Sequence, residues 1–88
     1  MAMWGLDIEQ VGQLAAEMDK DAGIIGDITS TLTGMLGSTE WTGPDAEQFR
    51  SQWDSEYATM LRNVSEALGA GAEACRRNAA EQEQASGS

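Results

Sequence analysis

Few residues of this 88-residue chain have the types and spacing that enzyme chemistry needs. The sequence contains no histidine, which removes Ser-His and Cys-His catalysis together with the commonest zinc ligand. Cys75 is the single cysteine, so it can form neither an internal disulfide nor a Cys-x-x-Cys pair. Its place on an apolar stripe favours a small buried thiol over a reactive one.

The acidic residues also lack a catalytic or metal-binding arrangement. The run from Asp19 to Gly23 begins like a calcium loop, but its glycine comes one position early and position twelve is Ser30 instead of Glu. Asp54 and Glu56 are two apart on a predicted helix, so they point to different faces and cannot act as an acid-base pair. Asp54 and Arg50, four apart, can form an ordinary surface ion pair. We predict no enzyme activity, no metal and no cofactor.

Charge and length narrow the possible partners. Fifteen acidic residues against five basic ones give a net charge of −10, the wrong sign for binding nucleic acid or an anionic membrane surface. No signal peptide and no stretch able to span a bilayer stands out, so stable membrane insertion is not expected. A chain this short buries a modest core, and we therefore expect it to be stabilised by a protein partner.

Two amphipathic helices are predicted to flank a central turn. Asp7 can cap a first helix over about residues 7–37, and a second helix should cover about residues 44–80, with a turn at 38–43 and a flexible tail at 81–88. Either Thr42 or Gly43 can begin the second helix before Pro44. Apolar residues at spacings of three and four are predicted to pack inside the hairpin or across a dimer: Val11, Leu14, Met18, Ile25, Ile28, Leu32, Phe49, Trp53, Tyr57, Met60, Val64 and Leu68.

These arms predict an all-α fold. At ~1.5 Å per residue they would be roughly 45 and 55 Å long, so they must lie antiparallel as a helix-turn-helix hairpin. Two helices in contact cover only one side of each other, and the broad apolar stripe on both arms would stay exposed to water. We therefore expect two hairpins to pair into a four-helix bundle.

The centre of the chain resembles a known family. Trp41-Thr42-Gly43 lies between the two predicted helices and is followed by Asp45-Ala46 and the series Phe49, Trp53 and Tyr57. Over almost its whole length the chain resembles the WXG family of ESAT-like (early secreted antigenic target) proteins, the small substrates of type VII (ESX) secretion. The resemblance implies a non-catalytic dimer, an effector or co-secreted partner, that is exported folded from the cytoplasm by a membrane ATPase without a cleaved signal peptide. Trp41 and Gly43 would form the export motif.

One part of the family pattern is missing. In that family the Trp-x-Gly turn lies near a C-terminal Tyr-x-x-x-Asp/Glu of the partner, yet residues 74–81 contain no tyrosine and Tyr57 is followed four residues later by Leu61. We favour a heterodimer in which another WXG-family protein supplies the tyrosine, and a homodimer is the alternative. Trp41 either staples the turn or contacts the secretion machinery, or does both. An intracellular dimerisation adaptor without a role in secretion is the alternative function.

Overall fold

The computed structural model describes residues 6–87, and within them the chain is a helical hairpin without strands. Helix α1 covers Ile8–Ser38 and helix α2 covers Pro44–Gln52. A π-helical turn at Trp53–Tyr57 joins α2 to helix α3, Ala58–Gly87, without a break. We call these last three elements the second arm. The molecule measures 65 × 17 × 13 Å, and the antiparallel hairpin predicted from the sequence is confirmed.

Helix α1 begins and ends at backbone groups that have partners. Asp7 is the N-cap, as predicted, because its Oδ1 accepts a hydrogen bond from the Gln10 backbone N–H at 3.0 Å. At the other end the Thr39 N–H donates to the carbonyl oxygen of Met35 at 2.8 Å. Thr39 itself is extended, so the chain leaves the helix there and enters the turn.

Gly43 starts the second arm. Of the two candidates for this cap, the structure selects Gly43, which has φ 117° and ψ 176° and is followed by Pro44 in the first helical turn. Side chains with a Cβ rarely adopt this backbone conformation, so a glycine is required here. The Glu47 N–H then donates to the Gly43 carbonyl oxygen at 3.0 Å, which closes the first turn of α2.

Small residues line the contact between the two arms. Ser65 Oγ donates to the Ala22 carbonyl oxygen at 3.0 Å, and the Met18 sulfur would lie 3.1 Å from a Cβ added at Gly71. Such contacts bring the two backbones close together. Apart from Trp53, the buried residues of the described chain are alanines, so a large apolar side chain such as Met18 is only half-buried in this contact. The buried residues are Ala15, Ala46, Trp53, Ala58 and Ala72.

The π-helical turn shifts the face that the second arm presents to α1. Contact and burial place Ala46, Arg50, Trp53, Ala58 and Ser65 towards α1, and Trp53 and Ala58 are five apart. An ordinary α-helix would rotate two residues at that spacing away from each other, whereas the π-helical turn keeps both against α1. The apolar spacing of the sequence instead predicts one continuous stripe, with intervals of three and four.

Helix α3 continues to Gly87, beyond the end near residue 80 that the apolar pattern predicts. Residues 79–85 read Ala-Ala-Glu-Gln-Glu-Gln-Ala, and each of these types has a high intrinsic helix propensity. Gln82 is also half-buried. Propensity therefore extends the helix where the apolar stripe has already ended. Of the predicted tail at 81–88, Ser88 lies outside the described residues.

Candidate functional site

Arg50 holds the turn together. Its guanidinium donates three hydrogen bonds to backbone carbonyl oxygens near the end of α1, from Nε to Leu36 at 2.8 Å, from Nη2 to Thr39 at 3.0 Å and from Nη1 to Trp41 at 2.6 Å. Carbonyl groups at a helix C-terminus lack intrahelical partners and carry partial negative charge, so a cation is favourable there. The surface ion pair that the spacing of Arg50 and Asp54 allows does not form, because the Arg50 guanidinium binds these carbonyl oxygens instead.

Four aromatic rings lie beside this turn. The Phe49 ring centroid is 6.1 Å from that of Trp41, 6.4 Å from that of Trp53 and 6.2 Å from that of Tyr57. The guanidinium carbon of Arg50 lies 5.7 Å from the Trp41 ring centroid, within cation-π range. Trp41 is therefore held in place by a ring and by a cation, while 41% of its surface stays exposed.

Trp53 differs from the other three rings because it points towards α1. Its Nε1–H donates to Thr33 Oγ1 at 2.9 Å, and only 5% of the residue is exposed. Thr33 Oγ1 in turn donates to the Thr29 carbonyl oxygen at 2.7 Å. The indole N–H of a buried tryptophan needs such a partner, and here the hydrogen bond also fixes the second arm against α1.

Large apolar side chains remain exposed along one side of the hairpin. We call this side the apolar face, and its continuous part is defined by eight residues: Ile24, Ile28, Leu32 and Met35 on α1, with Phe49, Tyr57, Met60 and Val64 on the second arm. Each of them directly precedes a residue directed at the other arm, as Val64 precedes Ser65 and Leu32 precedes Thr33. In an α-helix, the side chain of a residue points about 100° away from that of the residue that follows it. Because the two arms are antiparallel, the residues that precede inward-directed positions on either arm point to the same side of the hairpin.

The opposite side of the hairpin is polar and rich in glycine. The residues that directly follow the inward-directed positions are Gly26, Ser30 and Gly34 on α1 and Ser51, Thr59 and Glu66 on the second arm. The hairpin therefore has two unlike sides. A shallow open hollow of about 310 Å³ borders the apolar face and is lined by Asp27, Ile28, Thr31 and Leu32.

The predicted packing residues divide into two groups. Trp53 is buried, and four more are half-buried: Val11, Met18, Ile25 and Leu68. The other seven are exposed in the single hairpin: Leu14, Ile28, Leu32, Phe49, Tyr57, Met60 and Val64. The first group stabilises the hairpin itself, whereas the second can be buried only by another molecule. Cys75, predicted as a buried thiol, is free and half-buried.

Two polar contacts between the arms were not predicted from the sequence. Arg50 lies four residues after the buried Ala46 and three before Trp53, which is the spacing of an inward position, so its turn-binding role had a signal in the sequence. Arg76 forms an ion pair with Asp19 on α1, and both side chains are about half exposed. That ion pair depends on the register between the two arms, and no pattern of neighbouring residues in the sequence could predict it.

Comparison with protein-family models, with curated proteins and with solved structures found no match for this chain. In the part of the chain that the structure describes, no helix is long and apolar enough to cross a membrane. The same residues include no group of three or more Cys, Asp or Glu placed to hold a metal ion. Fold and surface together define a two-sided helical hairpin with one exposed apolar face and a turn fixed by Arg50 and Gly43.

Proposed function

We propose that this chain is a small interaction protein of the WXG type, exported as a folded dimer by a type VII (ESX) secretion system. Its apolar face pairs with that of a second hairpin and gives a four-helix bundle. The apolar face is the observation that carries the proposal, because its eight large side chains are between 36% and 59% exposed and all lie on one side. Exposed patches of this kind mark protein-interaction sites.

The magnitude of burial supports pairing. Covering the exposed half of one large apolar side chain contributes roughly 1 kcal/mol. Two hairpins with eight such side chains each would gain roughly 16 kcal/mol, which is of the same order as the cost of association, about 4–15 kcal/mol plus the ordering of side chains. The polar and glycine-rich side gives no comparable gain. Pairing through the apolar face is therefore the favoured mode.

The geometry of the turn supports an export motif at Trp41 and Gly43. The Phe49 ring and the Arg50 guanidinium fix the Trp41 ring at the tip of the hairpin, next to the apolar face. Enough of the ring stays exposed for a second protein to contact it. The Trp41 side chain can therefore both stabilise the turn and contact the secretion ATPase.

A secretion assay tests this function. In a bacterium that has a type VII system, we expect Trp41→Ala to lower the extracellular fraction of the chain at least tenfold, while the intracellular protein stays helical and paired. Ser51→Ala, on the polar side, is the matched control and should be exported like the unmodified chain. Export of Trp41→Ala at the unmodified level would contradict the role of the turn.

The absence of a tyrosine at residues 74–81 favours a second candidate, an intracellular dimerisation adaptor. Such an adaptor would use the same apolar face and pair with a second hairpin inside the cell. For an adaptor, we expect the Trp41→Ala variant to pair like the unmodified chain and to remain inside the cell, as the unmodified chain would. The same Trp41→Ala experiment therefore distinguishes the two candidates.

A further inference from the structure

We propose that the apolar face binds a different chain, a helical hairpin whose own apolar stripe is flanked by lysine and arginine, in preference to a second copy. The inference rests on the proposed pairing through that face and names the chemistry of the partner. It is drawn from the charges that surround the face, which are almost all negative.

Two carboxylates on α1 lie in line with the apolar residues. Glu17 directly precedes Met18, and Asp21 directly precedes Ala22, and both Met18 and Ala22 contact the second arm. By the same rotation that places Ile24 and Ile28 on the apolar face, Glu17 and Asp21 lie on that side. They continue the line of the face towards the open end of the hairpin. A partner that follows this line must therefore meet two carboxylates.

Two further carboxylates flank the face near its middle. Asp27 lines the hollow beside Ile28 and Leu32, and its side chain is exposed. Glu56, also exposed, lies one helical turn before Met60 on the second arm. We call Glu17, Asp21, Asp27 and Glu56 together the acidic rim.

The Lys and Arg side chains in the described part of the chain do little to neutralise the acidic rim. Lys20 lies one helical turn before Ile24 and is the cation next to the face. Arg50 is engaged at the turn and Arg76 with Asp19. Arg62 directly follows Leu61 and so lies on the polar side, and Arg77 lies on α3 well beyond Val64, the last residue of the apolar face on that arm. The apolar face thus has a net negative border.

A second copy would bring two acidic rims together. Helices in contact pack about 8–10 Å apart, which is no more than the screening length of about 10 Å at 0.1 M salt, so the rims would repel each other. A partner whose stripe is flanked by Lys and Arg would turn the same carboxylates into attractive contacts and exclude wrong partners. The apolar face supplies the contact area and the acidic rim selects the occupant.

A charge-reversed copy of the chain is a suitable probe. The rim variant carries Glu17→Lys, Asp21→Lys, Asp27→Lys and Glu56→Lys, which leaves the apolar residues unchanged and raises the net charge from −10 by 8 to −2. The matched control variant has the same net charge, but its four lysine substitutions lie on the polar side, at Glu47, Asp54, Glu66 and Glu73. Each of those residues directly follows an inward-directed one.

Sedimentation velocity with one labelled chain measures the pairing. At about 0.05 M salt, where charges are weakly screened, we expect the unmodified chain to bind the rim variant at least tenfold more tightly than it binds itself. The control variant should gain less than threefold. At about 1 M salt the screening length falls to about 3 Å, and the preference for the rim variant should disappear.

Two results would overturn the inference. One is self-pairing of the unmodified chain at low salt that is as tight as pairing with the rim variant, which would make a second copy the occupant. The other is an equal gain for the control variant, which would assign the effect to net charge. If all chains are helical by circular dichroism yet none pairs at any salt concentration, the proposed pairing itself fails, and the charge argument fails with it.

Discussion

Replacing Arg50 with alanine should destabilise the hairpin by about 2–4 kcal/mol. The half-buried hydrogen bond to Leu36, made by a charged donor, contributes about 1.5 kcal/mol. The exposed bonds to Thr39 and Trp41 contribute less, since water competes for the same groups, at about 0.5 kcal/mol each. The positive charge at the end of α1 and the cation-π contact with Trp41 add about 0.5 kcal/mol each, and these contributions are not strictly additive.

Urea unfolding followed by circular dichroism at a fixed protein concentration measures this loss. The midpoint should fall without a change in the slope of the transition, because the area exposed on unfolding stays the same. Arg50→Lys is the conservative control; it keeps the charge but cannot reach three carbonyl oxygens at once, so about half of the loss should remain. A change below about 0.5 kcal/mol for Arg50→Ala, the range of ordinary surface substitutions, would refute this account of the turn.

Three further changes test separate parts of the structure in the same unfolding assay. Gly43→Ala should cost about 1–3 kcal/mol because of the positive φ, whereas Gly34→Ala, in open space within α1, should add up to about 1 kcal/mol. Trp53→Phe should cost about 1 kcal/mol through the lost bond to Thr33, and Thr33→Val should add little in the double variant. Asp19→Asn should change stability by less than about 1 kcal/mol, because its ion pair with Arg76 is exposed; a larger loss would show that this pair fixes the register.

Local signals in the sequence were sufficient for the hairpin. Asp7 marks the start of α1, and Gly43 with Pro44 marks the restart, because caps and turns depend on a few neighbouring residues. The stretch at 24–33 is rich in β-branched residues, which favour strands, and it is nevertheless part of α1. There the hydroxyl of Thr29 donates to the Ile25 carbonyl oxygen at 2.7 Å, so the helix accommodates it.

The division between hairpin contact and apolar face could not be read from the spacing. A stripe of large residues at intervals of three and four fits either role, and the choice depends on how closely the helices approach. Here alanine, serine and glycine hold many of the positions that face the other arm, and eight large side chains lie one residue earlier, on the apolar face. The π-helical turn at Trp53–Tyr57 also changes the phase of the second arm, and that shift depends on tertiary contacts.

The most direct test of the central claim is the mass of the chain in solution by sedimentation equilibrium at about 1 M salt, where charge repulsion is screened. We predict that the unmodified chain associates as its concentration rises and reaches twice its mass of 9.4 kDa. A variant with Ile28→Ser and Met60→Ser on the apolar face should stay monomeric, whereas Ser30→Ala with Arg62→Ser, on the polar side, should associate normally. An unmodified chain that remains a helical monomer at every concentration, or association that survives both apolar-face substitutions, would contradict the claim.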